Sequence, residues 1–187
     1  MVDPGQRRAT YQDVLDAPPN QIAQVVDGEL WLQPRPNVGH ANAATELTTQ
    51  FRAAFGRRHH GHGGWHILFE PELHLSGNIL VPNVAGWRRE SVAELDRVAA
   101  YFDTRPDWVC EILSPSTQVL DRSRKMDAYA AEGVGHLWFV DPAAKMLEAY
   151  QRSADGWLRL GTWSEDATPN VAPFDALDLE LALLWED

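Results

Sequence analysis

Asp107-Trp108-Val109-Cys110-Glu111-Ile112-Leu113-Ser114-Pro115-Ser116-Thr117 reads as a strand closed by a turn, and the helix that follows runs on past Tyr129. Both alternating faces of the strand are apolar except at Glu111, the pattern of a strand covered on two sides. A lone carboxylate in such a strand needs a partner, a metal or a raised pKa, because an unpaired buried charge is too costly. The helix carries Asp121, Lys125 and Tyr129 at four-residue intervals. Lysine occurs at only one other position, Lys145, and all other basic side chains are arginine, so the placing of Lys125 after Glu111 carries weight.

The chain has 187 residues, 44% of them apolar, with eight tryptophans, enough for one well-buried domain over 1–187 with a free tail at 1–9. No apolar run approaches the roughly 18 residues of a membrane span, and the polar first ten residues hold no secretory signal. Cys110 is the one cysteine, which excludes an internal disulfide and fits a reducing cytoplasm; its place in the apolar strand favours a packed, inert thiol. The net charge of −11 argues against global steering to a phosphate backbone, although a local arginine cluster can still line a cleft.

Working outward, Thr10-Tyr11-Gln12-Asp13 opens a short helix that stops before Pro18-Pro19. Asp27-Gly28 between the apolar runs Ile22 to Val26 and Glu29 to Gln33 predicts an N-terminal hairpin. Helical periodicity follows from His40 to Phe55. Strands are expected at Trp65 to Phe69, Glu72 to Leu75 and Ile79 to Ala85, with a Ser76-Gly77-Asn78 turn and a bulge or edge at Pro82. Gly86 to Thr104 reads as a loop with a helical turn around Val92 to Ala100. The helix from about Gln118 stops at Gly133, and strands follow at Gly135 to Val140, Met146 to Gln151 and Trp157 to Trp163. Phe174 to Trp185 docks as a short helix or strand. The class is α/β, a sheet flanked by helices.

Asn83 and Glu111 fall inside otherwise apolar strands, and Lys125 lies about two turns into the next helix. Two such side chains from neighbouring strands plus a lysine suit metal-assisted phosphodiester hydrolysis. Glu111 has a lesser alternative as an ion-pair partner of an arginine, and from spacing alone Asp121–Lys125 fits a solvated helical pair as well as a site lysine. Tyr129 reads as helix packing, Ser116 or Thr117 as an N-cap, and His40 as a cleft residue or a local hydrogen bond. Glu70 or Glu72 points into the cleft. His59, His60 and His62 read as a Gly-rich loop, with a metal-ligand set as the alternative.

The order Val81-Pro82-Asn83, Cys110-Glu111-Ile112-Leu113-Ser114-Pro115-Ser116-Thr117, Asp121, Lys125, Tyr129, Gly133-Val134 and Trp138-Phe139-Val140-Asp141-Pro142 resembles the PD-(D/E)XK nuclease superfamily. Within it the pattern is similar to the Uma-type branch of restriction endonucleases, from about Tyr11 to the C-terminus. The resemblance implies a restriction-endonuclease-like mixed central sheet flanked by helices, and Mg²⁺-dependent cleavage of DNA by Glu111, Lys125 and Asn83. It also implies a metal held by Glu111, Asn83 and Gln24. The motif lysine, normally two residues after the glutamate, is replaced there by Leu113, and Lys125 is its substitute. The expected aspartate after Pro82 is Asn83, and the expected upstream glutamate is Gln24. An amide forfeits roughly 4 kcal/mol per unit charge at ~4 Å and an effective dielectric of ~20, so Mg²⁺ is weakly bound or lost and hydrolysis attenuated. The alternative is an inactive nuclease-fold binding or assembly module. A homodimer fits either reading, and no membrane partner is expected.

Overall fold

A computed structural model describes residues 7–56 and 64–186. The elements are α1 (Tyr11–Leu15), β1 (Gln21–Val26), β2 (Glu29–Pro34), α2 (Val38–Phe55), β3 (Trp65–Phe69), β4 (Leu73–Leu75), β5 (Asn78–Leu80), β6 (Val84–Arg88) and β7 (Trp108–Ile112). There follow α3 (Gln118–Leu120), a π-helical turn (Asp121–Lys125), α4 (Met126–Ala131), β8 (His136–Asp141), β9 (Met146–Ser153), β10 (Gly156–Ser164) and a 3₁₀ turn (Ala182–Leu184). A six-stranded sheet runs β10-β9-β8-β7-β6-β3, and a four-stranded sheet runs β2-β1-β5-β4. In the larger sheet only β7 and β8 are parallel, so the sheet is mixed, as expected.

Alternation along β7 explains its apolar character. Trp108, Cys110 and Ile112 enter one core with α2, while Val109 and Leu113 enter a second core with α4 and the smaller sheet. In the first core Phe51 stacks on Phe174 at 4.4 Å between ring centres and meets Trp108 edge-on at 5.2 Å. Glu111 shares the parity of Val109, so its carboxylate is sent into the second core beneath the helix. The chain after β7 crosses over through that helix to reach β8, as a parallel neighbour requires.

The N-terminal hairpin forms as read, with Asp27 and Gly28 both at positive φ (55° and 83°), the geometry of a type I′ turn. It belongs to the smaller sheet rather than to the central one. The run expected as one strand from Ile79 to Ala85 is broken: Leu80 ends β5 in one sheet and Val84 begins β6 in the other. Pro82 lies at the break, where the lost N–H costs no ladder bond. The turn at Ser76-Gly77 has two residues, with Asn78 already in β5 opposite Leu75. No helix forms over 92–100; after β6 the chain is irregular until β7. Arg7 to Ala9, expected in the tail, are held by an Arg7–Asp13 ion pair and by the Ala9 N–H donating to Gly28 O. The His59-His60-His62 stretch lies outside the described residues.

Candidate active site

Glu111 is 1% exposed. Its partner is supplied by the helix, whose geometry is unusual. The amide of Met126 donates to the carbonyl of Asp121, five residues back, which makes the Asp121–Lys125 segment a π turn within a longer helix. At the far end Gly133, at φ 74°, closes the helix; the Val134 N–H donates to Tyr129 O and the Gly133 N–H to Ala130 O, a Schellman pair. The helix is thereby fixed with three polar side chains turned inward.

Lys125 Nζ lies 2.7 Å from Glu111 Oε1 and 3.1 Å from Asp121 Oδ1. Tyr129 donates its hydroxyl to the same Oε1 at 2.6 Å. All four side chains are buried, so the solvated helical pair and the arginine partner of the sequence reading both give way to a buried cluster. Two carboxylates share one ammonium, which leaves the cluster one negative charge in excess when both acids are ionised. Burial raises the Glu111 carboxyl to about 7; Lys125 opposes that shift and Asp121 adds to it. Burial acts to lower Lys125, but the two carboxylates outweigh it and hold the ammonium above its ordinary value.

Asn83 sits at the break before β6. Its Oδ1 accepts the Ile112 N–H at 2.7 Å, where regular pairing of β6 with β7 has ended. That bond fixes the orientation of the amide, leaving the NH₂ as its other polar end. Gln24 is fully buried in β1; its Oε1 accepts the Val81 N–H at 2.7 Å and its Nε2 donates to Gln33 Oε1 at 3.0 Å.

A cavity of about 240 Å³ opens on this region, lined among others by Glu111, Asn83, Asp121 and His40. Lys125 stands behind Glu111, and neither it nor Gln24 is part of the wall. His40 is placed in the first turn of α2, where the Asn37 side chain caps its backbone N–H at 2.9 Å. It is 8% exposed, and no hydrogen bond of normal geometry reaches its Nε2 among the described residues. Burial holds the imidazole below its ordinary pKa, which favours the neutral ring. Ser114, Ser116 and Thr117 add hydroxyls, with Ser114 Oγ 3.0 Å from each of the other two. Thr117 stands at the N-cap of α3 but makes no side-chain cap. Glu70 and Glu72 face another hollow, Glu72 contacting His74 at 2.7 Å, so neither supplies a cleft carboxylate.

The donor set is a poor one for Mg²⁺. Tyr129 and Lys125 both act on Glu111 Oε1, the Asn83 oxygen is already an acceptor, and Gln24 is spent on Val81 and Gln33. No group of three His, Cys, Asp or Glu side chains with metal-site geometry occurs among the described residues. A hard divalent ion seeks several oxygens and at least one or two carboxylates facing it. These residues do not fit it.

Sequence reasoning missed the Tyr129 bond to Glu111 and the sharing of Lys125 by two acids. The four-residue spacing of Asp121, Lys125 and Tyr129 was the available signal, and it needed only the assumption that their helix covers Glu111.

The fold is that of a restriction-endonuclease-like protein. A family model described as "Putative restriction endonuclease", Uma2, matches residues 8–184, and the chain belongs to that family. It is also similar in structure to a putative nuclease from Anabaena variabilis ATCC 29413, with a TM-score of 0.76 and 19% sequence identity over 95% of this chain and 97% of that one. No curated protein matches.

Proposed function

We propose that the cavity is a DNA-cleaving active site of the PD-(D/E)XK type in attenuated form. The observation that carries this reading is the buried Glu111–Lys125 pair, 2.7 Å apart, on the edge of a cavity that Asn83 also lines. Glu111 is the acid facing the substrate phosphodiester. Lys125 and Tyr129 act through it, fixing its rotamer and holding its charge. His40 and the hydroxyls of Ser114, Ser116 and Thr117 are the donors for phosphate oxygens. What the cavity lacks is an acid on the side of the strand break, away from the Glu111–Asp121 pair, and Asn83 marks its place. Mg²⁺, where a related site holds it, polarises the phosphate.

The Asn83→Asp variant tests the reading. One carboxylate oxygen can keep the Ile112 N–H while the other faces the cavity. Calorimetry should find Mg²⁺ bound about 100-fold more tightly than by the wild type, taking about two-thirds of the unit-charge term. Nicking of supercoiled plasmid should rise in parallel. Unchanged Mg²⁺ affinity and unchanged nicking would remove the assignment.

A second reading, a binding or assembly module without hydrolysis, is favoured by one observation: both amides, Asn83 and Gln24, are committed to main-chain N–H groups. Under it Glu111→Gln leaves no nicking to lose, and sedimentation should show a homodimer whose affinity the cavity variants alter.

A further inference from the structure

The larger sheet has a second polar cavity at its other end. Trp65 pairs with Arg88 at one end of the β3–β6 ladder and Phe69 with Val84 at the other, next to Asn83. Five residues of extended chain therefore separate Asn83 from Arg88, roughly 17 Å. Beside Trp65 lies a hollow of about 480 Å³, twice the volume of the candidate active site. Its lining includes Arg52, Arg89 and Arg97, with Glu94 as the one acid among the described residues.

These guanidiniums are unusual in a chain of net charge −11. No carboxylate pairs with Arg52, Arg89 or Arg97 among the described residues. The sequence between Arg52 and Trp65 holds no acidic residue either. Arg89 is built into the wall: its Nη2 donates to Gly56 O at 3.2 Å, its Nη1 lies 3.2 Å from His66 Nε2, and its backbone N–H donates to Gly64 O at 2.8 Å. Its Nε–H is buried with no acceptor among the described residues. A fixed, incompletely bonded guanidinium flanked by two exposed ones is a donor array without an acceptor. Three positive charges against one negative leave two uncompensated, the charge of a phosphate monoester near neutral pH. The volume lies within the range that holds a small organic ligand, so there is room for more than the phosphate.

We infer that this cavity, distinct from the Glu111 site, binds a phosphate monoester through Arg89, Arg52 and Arg97. The same chemistry is offered by a free nucleotide and by the 5′-phosphorylated end of a DNA strand.

Calorimetric titration of the full chain with inorganic phosphate, AMP, and one short oligonucleotide with and without a 5′-phosphate tests this. Saturable binding of the phosphorylated probes is expected. The Arg52→Gln/Arg97→Gln double variant should weaken it about 100-fold, near tenfold for each guanidinium. Both positions are exposed and make no ion pair among the described residues, so the unliganded melting temperature should not move. AMP and the phosphorylated strand binding alike assigns a small ligand; a strand at least about tenfold tighter assigns a DNA end. The inference is overturned if no phosphorylated probe saturates, if the double variant binds as tightly as the wild type, or if the strand binds equally without its phosphate.

Discussion

Around one cavity, polar side chains are neutralised in two opposite ways. On the helix side, charge meets charge: Glu111 and Asp121 hold Lys125, and Tyr129 completes the set. On the side of the strand break, neutral amides meet main chain: Gln24 takes the N–H of Val81, and Asn83 takes that of Ile112. The two amides bracket Pro82 and staple the point where the chain leaves one sheet for the other. Acids there would accept the same two main-chain N–H bonds, but the donation from position 24 to Gln33 would be lost, and a carboxylate at position 83 would bring a further negative charge to a cavity whose acids are already one in excess.

Breaking the ionic side should have the largest effect. Lys125→Met leaves two buried carboxylates facing each other, and removal of one partner of a buried pair costs about 3–5 kcal/mol. Thermal unfolding should show a melting temperature lower by roughly 10 °C, at about 2–4 °C per kcal/mol for a chain of this size.

The pH dependence sharpens the comparison next. The Glu111 carboxyl is raised from 4.5 to about 7, so the folded state holds its proton more firmly than the unfolded chain. The stabilisation from this group is full below about pH 4.5 and lost as the pH rises through about 7. Denaturant titrations at several pH values should show that decline in the wild type and a flatter profile in Glu111→Gln. Amides do not titrate, so Gln24 and Asn83 add no slope.

On the amide side, Gln24→Leu leaves the half-buried Val81 N–H without its acceptor, a loss of about 1–3 kcal/mol. Equilibrium unfolding reads the loss directly. Calorimetry on the same variant should show Mg²⁺ affinity unchanged, which separates a staple from a ligand. The smallest effect belongs to Tyr129→Phe, at about 1.5 kcal/mol for one hydrogen bond to a charged group. It should also move the Glu111 carboxyl further up, a shift readable by carboxyl NMR.

The ionic side was nearly legible in the sequence and the amide side was not. A carboxylate at odd parity in an apolar strand, followed by a lysine in the next helix, announces a buried pair because such a charge has few other solutions. Glu111 and Lys125 could be joined on that ground. An amide carries no such obligation: Asn83 and Gln24 bond whatever lies near, and their partners, Ile112 and Val81, depend on where a strand breaks. Pro82 signalled the break, but only the two-sheet arrangement shows which N–H groups it strands. The element order was readable from periodicity and turns. The imagined helix at 92–100 failed because that segment, rich in exposed side chains, has no apolar stripe to bury.

The π turn at Asp121–Lys125 takes up one residue more than an α turn holds, so the helix on either side of it keeps its face. An ordinary α period over the same number of residues would rotate everything upstream by about 100° relative to Tyr129. Asp121 would then swing out of the core and Lys125 would keep one carboxylate instead of two. Deleting Ser123 would restore the α period without that rotation, leaving Asp121 and Lys125 three residues apart and still on one face. The width of one turn, as much as the chemistry of any side chain, sets the excess negative charge of the cluster.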